Sequence, residues 1–347
     1  LISVGLLNNA KIDAPVIAPA KSEKGVQAEV PFEKLFEESF GGAEDLPEDN
    51  GGETLPEDEA EIAKHLDNSL DFKTACAEFS VYSAERGISI TAVSVRKIFS
   101  AICASRLVLL KTDSALAPKF LNILCGYFGS EFIPDLSPKD KAFAEALNKK
   151  HAVHIAALSD TGEELVPFEK YIRNPYAAKT IPSNLWLIYA SDLTQIDAFA
   201  SREGCLLDID ISETSEKQEK TAVHTLSFCQ LKRMADAAKK TYCLDEEGCW
   251  KRLDKFEKLL SEQSAFKLDN KTCQRLEAYS SVYISCGGEE GEALDCAVAA
   301  KLILPAAAVC EDINSRKSGS LNKILEDAFG EDMPESKKAL KLFGAKK

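Results

Sequence analysis

The chain has 347 residues, 45% of them hydrophobic and 28% charged, which is ordinary for a soluble globular protein and long enough for two domains. A formal charge of -14 and a pI near 5.0 argue against a broad electrostatic footprint for nucleic acid or anionic lipid. The 11 cysteines are scattered without a CxxC pair, so they read as buried free thiols of a reducing cytoplasm rather than a zinc site.

Residues 1–61 carry little periodic hydrophobicity, and LPEDNGGETLPEDEAE (Leu46–Glu61) is overwhelmingly acidic. Such a segment buries too little apolar surface to offset its ordering entropy, so 1–61 is expected to be an acidic flexible arm or linker. Within it, VPFEKLFEESF suits a short docking helix, with Phe32, Leu35, Phe36 and Phe40 near one face. The arm is therefore a candidate docking site for a protein partner. The first residue is Leu rather than Met, which reads as numbering that starts inside a longer chain or as a trimmed N-terminus. Neither a signal peptide nor an apolar run of membrane-spanning length stands out, so a cytoplasmic protein is expected.

Helical periodicity follows in EIAKHLDNSLDF, TACAEFSVYSAERG and TAVSVRKIFSAICAS, with Gly87 closing the second helix and Thr91 suited to cap the third. RLVLL (Arg106–Leu110) reads as a buried strand, and a helix from Pro118 to Phe128 ends before Gly129. A helix over Pro138–Lys150 precedes three further strands at Ala152–Leu158, Leu185–Ala190 and Cys205–Ile211. Interleaved strands and helices predict a parallel sheet with covering helices over 62–224. After Thr225 only helical pattern remains, in LSFCQLKRMADAAKK, EEGCWKRLDKFEKLLSEQ, KTCQRLEAYSSVYISC and ALDCAVAAKLILP, so 225–347 is expected to be helical.

The strand, loop and helix of SRLVLLKTDSALAPKFLNILCGYFG have the outline of a phosphate-binding turn. The pattern GxxxxGK[ST] uses glycine to fold backbone N–H groups around phosphate, lysine to reach it, and a hydroxyl to hold Mg²⁺. Here TDSALAPK puts Thr112 and Ala117 at the glycine positions, Pro118 at the lysine and Lys119 at the hydroxyl residue. Shifting the register to use Lys119 as the lysine leaves Pro118 for the second glycine and Phe120 for the magnesium ligand. Pro118 has no N–H to donate, Asp113 adds negative charge, and Ser114 has no nucleophile-elbow context. With hydrogen bonds to charged groups worth about 1.5–3 kcal/mol each, these losses total about 4–6 kcal/mol and move micromolar binding toward millimolar.

The order of ASRLVLLKTDSALAPKFLNILCGYFG, HAVHIAALSD, IPSNLWLIYASD, FASREG and DCAVAAKLILP resembles the AAA+ ATPases, most closely the methyl-directed restriction NTPase (McrB-like) branch. The resemblance covers Gly87 to Ser336 and implies an α/β P-loop NTPase fold, a parallel sheet with helices, followed by an all-helical lid over 225–347. Carried over residue by residue, the paired Asp-Glu falls on Ser159 and Asp160, the sensor Asn on Asp192, and the arginine reaching a neighbour's nucleotide on Arg202. Only 22 residues separate Phe128 from His151, enough for the one helix of a parallel crossover but with little room for a further strand and the long substrate-engaging loops of that family.

The expected protein is a pseudo-ATPase with no cofactor, acting as a scaffold or regulatory subunit that oligomerises with itself or with an active AAA+ relative. Nucleic-acid binding by this chain alone is not expected. The alternative is a divergent NTPase that takes Mg-ATP or Mg-GTP through Lys119 or Lys111 and a neighbour's Arg202. Other constellations carry less: His151 and His154 face opposite sides of a strand, GGEEGE is an acidic turn, Ser318 lacks catalytic context, and SRKSG is a short basic loop.

Overall fold

A computed structural model of the chain describes residues 70–129, 154–158, 185–190, 203–214, 226–244, 248–310, 312 and 319–344. All of them belong to the second of two compact units, Glu48–Lys347. The expected arm, the docking segment VPFEKLFEESF and the helix over Pro138–Lys150 lie outside the described residues.

Helix α1 (Phe72–Glu85) starts at Asp71, whose carboxylate accepts from the Thr74 amide at 2.7 Å. That hydrogen bond holds the Asp71 carboxyl below its usual range. The helix stops at Gly87, which adopts φ +81° as only glycine does without strain, and the chain turns into β1 (Ile88–Ile90). Thr91 caps α2 (Ala92–Ala104) as its sequence suggested, accepting from the Ser94 amide. Strand β2 (Leu107–Lys111) sits one residue later than RLVLL, and α3 (Ala117–Tyr127) follows the loop. Phe72, Phe79, Phe99, Tyr127 and Phe128 meet edge to face between α1, α2 and α3.

Strands β3 (His154–Leu158), β4 (Leu185–Ala190) and β5 (Cys205–Asp208) join β2 in a four-stranded sheet of order β3-β4-β2-β5, parallel throughout. The sequence reading of four strands in a parallel sheet is thus realised. Trp186 of β4 donates to the Ile102 carbonyl at 2.7 Å, tying α2 to the sheet. CLLDIDI is not one strand. Asp210 N is captured by Ser94 Oγ, and the chain turns into β6 (Ile211–Glu213), which pairs antiparallel with β1 in a separate ribbon. Three-residue strands carry too little alternation to be read from sequence.

The remaining described elements are helices: α4 (Phe228–Thr241), α5 (Cys249–Ser261), α6 (Asn270–Ser285), α7 (Glu290–Lys301), α8 (Ile303–Val309), α9 (Leu321–Phe329) and α10 (Pro334–Gly344). ALDCAVAAKLILP breaks at Leu302 into α7 and α8, with Pro305 in the first turn of α8, where a missing N–H is tolerated. The short helices α9 and α10 had not been read from the sequence. Helix α6 packs along α2, and α7 lies against β5 and α10. Sheet and helices share one contiguous core from Phe72 to Leu340. Asp295 of α7 caps α10 from outside, accepting from the amides of Glu335 at 2.7 Å and Ser336 at 2.9 Å. No helix among the described residues is long and apolar enough to cross a membrane.

Candidate functional site

In a parallel sheet every strand ends at the same edge, and that carboxyl edge is where open α/β sheets bind ligands. Strand β2 is central, flanked by β4 and β5, so the loop after Lys111 stands in the middle of that edge. The loop occupies its own donors. Asp113 Oδ1 accepts from the Ala115 amide at 2.9 Å, and the Asp113 carbonyl accepts from the amides of Leu116 at 3.0 Å and Ala117 at 2.9 Å. The backbone hydrogens that a phosphate would need are turned onto the loop's own aspartate. Pro118 stands in the first turn of α3 and adds no donor there.

Lys119 is directed elsewhere. Its Nζ donates to the Gly87 carbonyl at 3.1 Å and lies 3.5 Å from Glu213, bracing the β1–β6 ribbon. Thr112 Oγ1 is buried without a hydrogen-bond partner among the described residues, while Asp113 and Ser114 are exposed and Ala117 is buried. Of the residues carried over from the resemblance, the structure brings together Thr112, Asp113, Ser114, Ala117, Pro118 and Lys119. Ser159, Asp160, Asp192 and Arg202 lie outside the described residues, as do His151 and Ser318. The described cysteines are free thiols, Cys243 exposed and Cys249 buried, and no group of three metal-ligating side chains converges among the described residues.

A second polar centre lies at the opposite, amino edge, where Ser105 and Arg106 precede β2 and Glu203 and Gly204 precede β5. Glu203 is 7% exposed, and its carboxylate meets Lys271 at 2.7 Å and Arg275 at 2.9 Å. Its carbonyl accepts from Ser105 Oγ, Arg275 and Lys301. Burial works against the charge on Glu203, but Arg275 and Lys271 outweigh it and hold the carboxyl at about 2. Lys301 is 1% exposed, donates to the Gly204 carbonyl, and is brought down to about 7 by burial and then by Arg275. Burial and the Arg275 charge also lower Arg106 to about 10 and outweigh Glu203 in lowering Lys271.

Sequence reasoning had singled out Arg202 and passed over its neighbour Glu203. The available signal was Lys301, a lone lysine inside the apolar run AVAAKLILP, which requires buried acceptors wherever it packs. The centre contains carboxylate and cations already joined to one another. It organises the entry into β5 and offers no open acid or base for chemistry.

Comparison with known proteins identifies no relative: no family model, no curated protein and no solved structure matches the chain.

Proposed function

We propose that this chain is a AAA+-like module that has lost nucleotide chemistry and serves as a scaffold or regulatory subunit, assembling with itself or with an active relative. The observation that carries this reading is the self-satisfied loop. Asp113 takes the amides of Ala115, Leu116 and Ala117, and Lys119 is held by Gly87 and Glu213. The position is that of a phosphate loop, central at the carboxyl edge of a parallel sheet, but its donors point inward. The engagement of Lys119 also weighs against the divergent-NTPase reading where that reading takes phosphate through Lys119, leaving Lys111 as its other lysine. Retention of the sheet, the loop path and the helical segment supports a role carried by shape and interfaces.

Equilibrium binding of Mg-ATP and Mg-GTP to the purified chain, with phosphate release followed in parallel, tests the first half. No saturable binding up to about 1 mM is expected, the range left by the loss of the lysine and loop donors. A micromolar Kd overturns it. Light scattering and co-purification test the second half: a strictly monomeric chain that brings down no partner overturns the scaffold role.

A further inference from the structure

A small pocket lies at the carboxyl end of β5, walled by that strand and by α2, α6, α7 and α10. Lys97, Asp208, Tyr279 and Glu335 line it with polar groups, beside the Cys296 thiol and, from α10, Ala339. The pocket measures about 20 Å³, and one water molecule needs roughly 10–15 Å³. It is separate from the loop after β2 and from the charges around Glu203 at the opposite end of β5.

The polar groups around it are incompletely used. Lys97 is 6% exposed, and its ammonium donates to the Asp208 carbonyl at 3.4 Å and to the Glu335 carboxylate, leaving one of three hydrogens over. Asp208 Oδ2 is buried and makes no hydrogen bond among the described residues, with the Lys338 ammonium 3.2 Å away as an ion pair. Tyr279 is 1% exposed, and its hydroxyl has no hydrogen-bond partner among the described residues. The Tyr283 hydroxyl, one turn further along α6, is enclosed by protein, whereas that of Tyr279 is not, so Tyr279 opens its hydroxyl into the pocket. Burial holds that hydroxyl well above its usual range, so it stays a neutral donor.

We infer that this pocket binds one water molecule, which links α10 to β5, α2 and α6. The water accepts from Tyr279 and Lys97 and donates to Asp208 and Glu335, the full complement of partners that a buried water uses. The charges select a neutral guest. Lys97 and Lys338 offset Glu335 and Asp208, so a cation meets an ammonium in the pocket and an anion meets two carboxylates. A bridging water is nearly as favourable as a direct hydrogen bond, whereas a buried hydroxyl or carboxylate left unpaired is costly. Docking of α10 therefore rests on a hydrated polar contact in addition to its apolar face, whatever the state of the nucleotide loop.

Two measurements on the full chain test this. A high-resolution crystal structure is expected to show one density peak within hydrogen-bond distance of Tyr279 Oη and Asp208 Oδ2, with Lys97 or Glu335 as a further partner. A pocket without density overturns the inference, and so does a peak with the many short oxygen contacts of a metal cation. Urea unfolding of Ala339→Val and Ala339→Thr is the second readout. The two side chains match in shape and in β-branching, so crowding and helix propensity cancel between them. Both displace the water, but only the threonine hydroxyl can take over part of its hydrogen bonding. The unfolding constant of Ala339→Val is therefore expected to exceed that of Ala339→Thr about tenfold, the worth of roughly one buried hydrogen bond. A dry pocket reverses the order, because it rewards the methyl and penalises the hydroxyl. Ala339→Val as stable as Ala339→Thr, or more so, overturns the inference.

Discussion

Replacing Lys301 with methionine should stabilise the protein at neutral pH, and the gain should shrink as pH rises. The side chain is 1% exposed, and its ammonium is held by the carbonyls of Gly204 and Glu203. Burial and the Arg275 charge bring it from 10.5 to about 7. At 1.36 kcal/mol per unit, keeping the proton at pH 7 costs the fold about 5 kcal/mol. Methionine keeps the stem packing and removes that cost, but it orphans the Gly204 carbonyl for about 1–3 kcal/mol, because Glu203 retains Ser105 and Arg275 as donors. The net gain for Lys301→Met is about 2–4 kcal/mol at pH 6.5, in the range found when buried ionic groups give way to apolar ones. Between about pH 7 and 10.5 the unfolded chain binds the lysine proton more than the folded one does, so wild-type stability rises with pH across that window. By pH 9.5 the cost has fallen to about 1 kcal/mol, and the variant should have lost its advantage. Urea unfolding of both proteins at pH 6.5 and 9.5 gives the comparison, since other titrating groups cancel in the difference. A variant less stable at pH 6.5, or a gap that stays constant with pH, would refute the reasoning.

Further expectations follow from particular contacts. Glu203→Gln leaves Lys271 and Arg275 facing a neutral amide and should cost about 3–5 kcal/mol at pH 7 by urea unfolding. Because the folded Glu203 carboxyl lies at about 2, below its ordinary 4.5, its contribution is complete above 4.5 and fades between 4.5 and 2, so the gap to wild type should close there. Gly126→Ala places a methyl 2.5 Å from the Tyr82 hydroxyl, so the helix-propensity gain of about 1 kcal/mol should appear only when combined with Tyr82→Phe. A double-mutant cycle with no coupling would contradict that geometry. Asp295→Ala removes the acceptor for two amides of α10 and should cost about 1–2 kcal/mol, with faster amide exchange confined to Glu335 and Ser336. On the proposed AAA+-like reading, installing phosphate-loop residues with Thr112→Gly, Ala117→Gly, Pro118→Lys and Lys119→Thr should confer measurable Mg-ATP binding without turnover, because that reading puts Ser159 where the first carboxylate would stand. Continued absence of binding in that variant, if it folds by circular dichroism, would count against the phosphate-loop assignment.

Long periodic segments were legible in the sequence, and contacts between distant segments were not. LWLIYA became β4 without a shift in its ends, and Thr91 and Gly87 performed the capping and turning their chemistry suggests. The split of CLLDIDI into β5 and β6 depended on Ser94, more than a hundred residues earlier, catching the Asp210 amide. No local pattern encodes such a contact. For the loop, letters alone showed which donors glycine and lysine would have supplied, and so predicted a defect. They did not show that Asp113 turns onto the loop amides or that Lys119 swings to Gly87. Both follow from the path of the chain after β2 and from where the β1–β6 ribbon lies.

The two polar centres also differ in kind, and the difference bears on what the fold preserves. At the carboxyl edge of β2, Asp113 and Ser114 are exposed and Asp113 is satisfied by the loop's own amides, so substitution of Ser114 should change little beyond the loop. At the amino edge, Glu203, Lys301, Arg275 and Lys271 are buried or half-buried and come from three separate segments, so each holds the others in place. These interdependent charges join β5 to α6 and α7, fixing the sheet against its helices, and that is why Glu203→Gln should lower stability more than a substitution at the exposed Ser114.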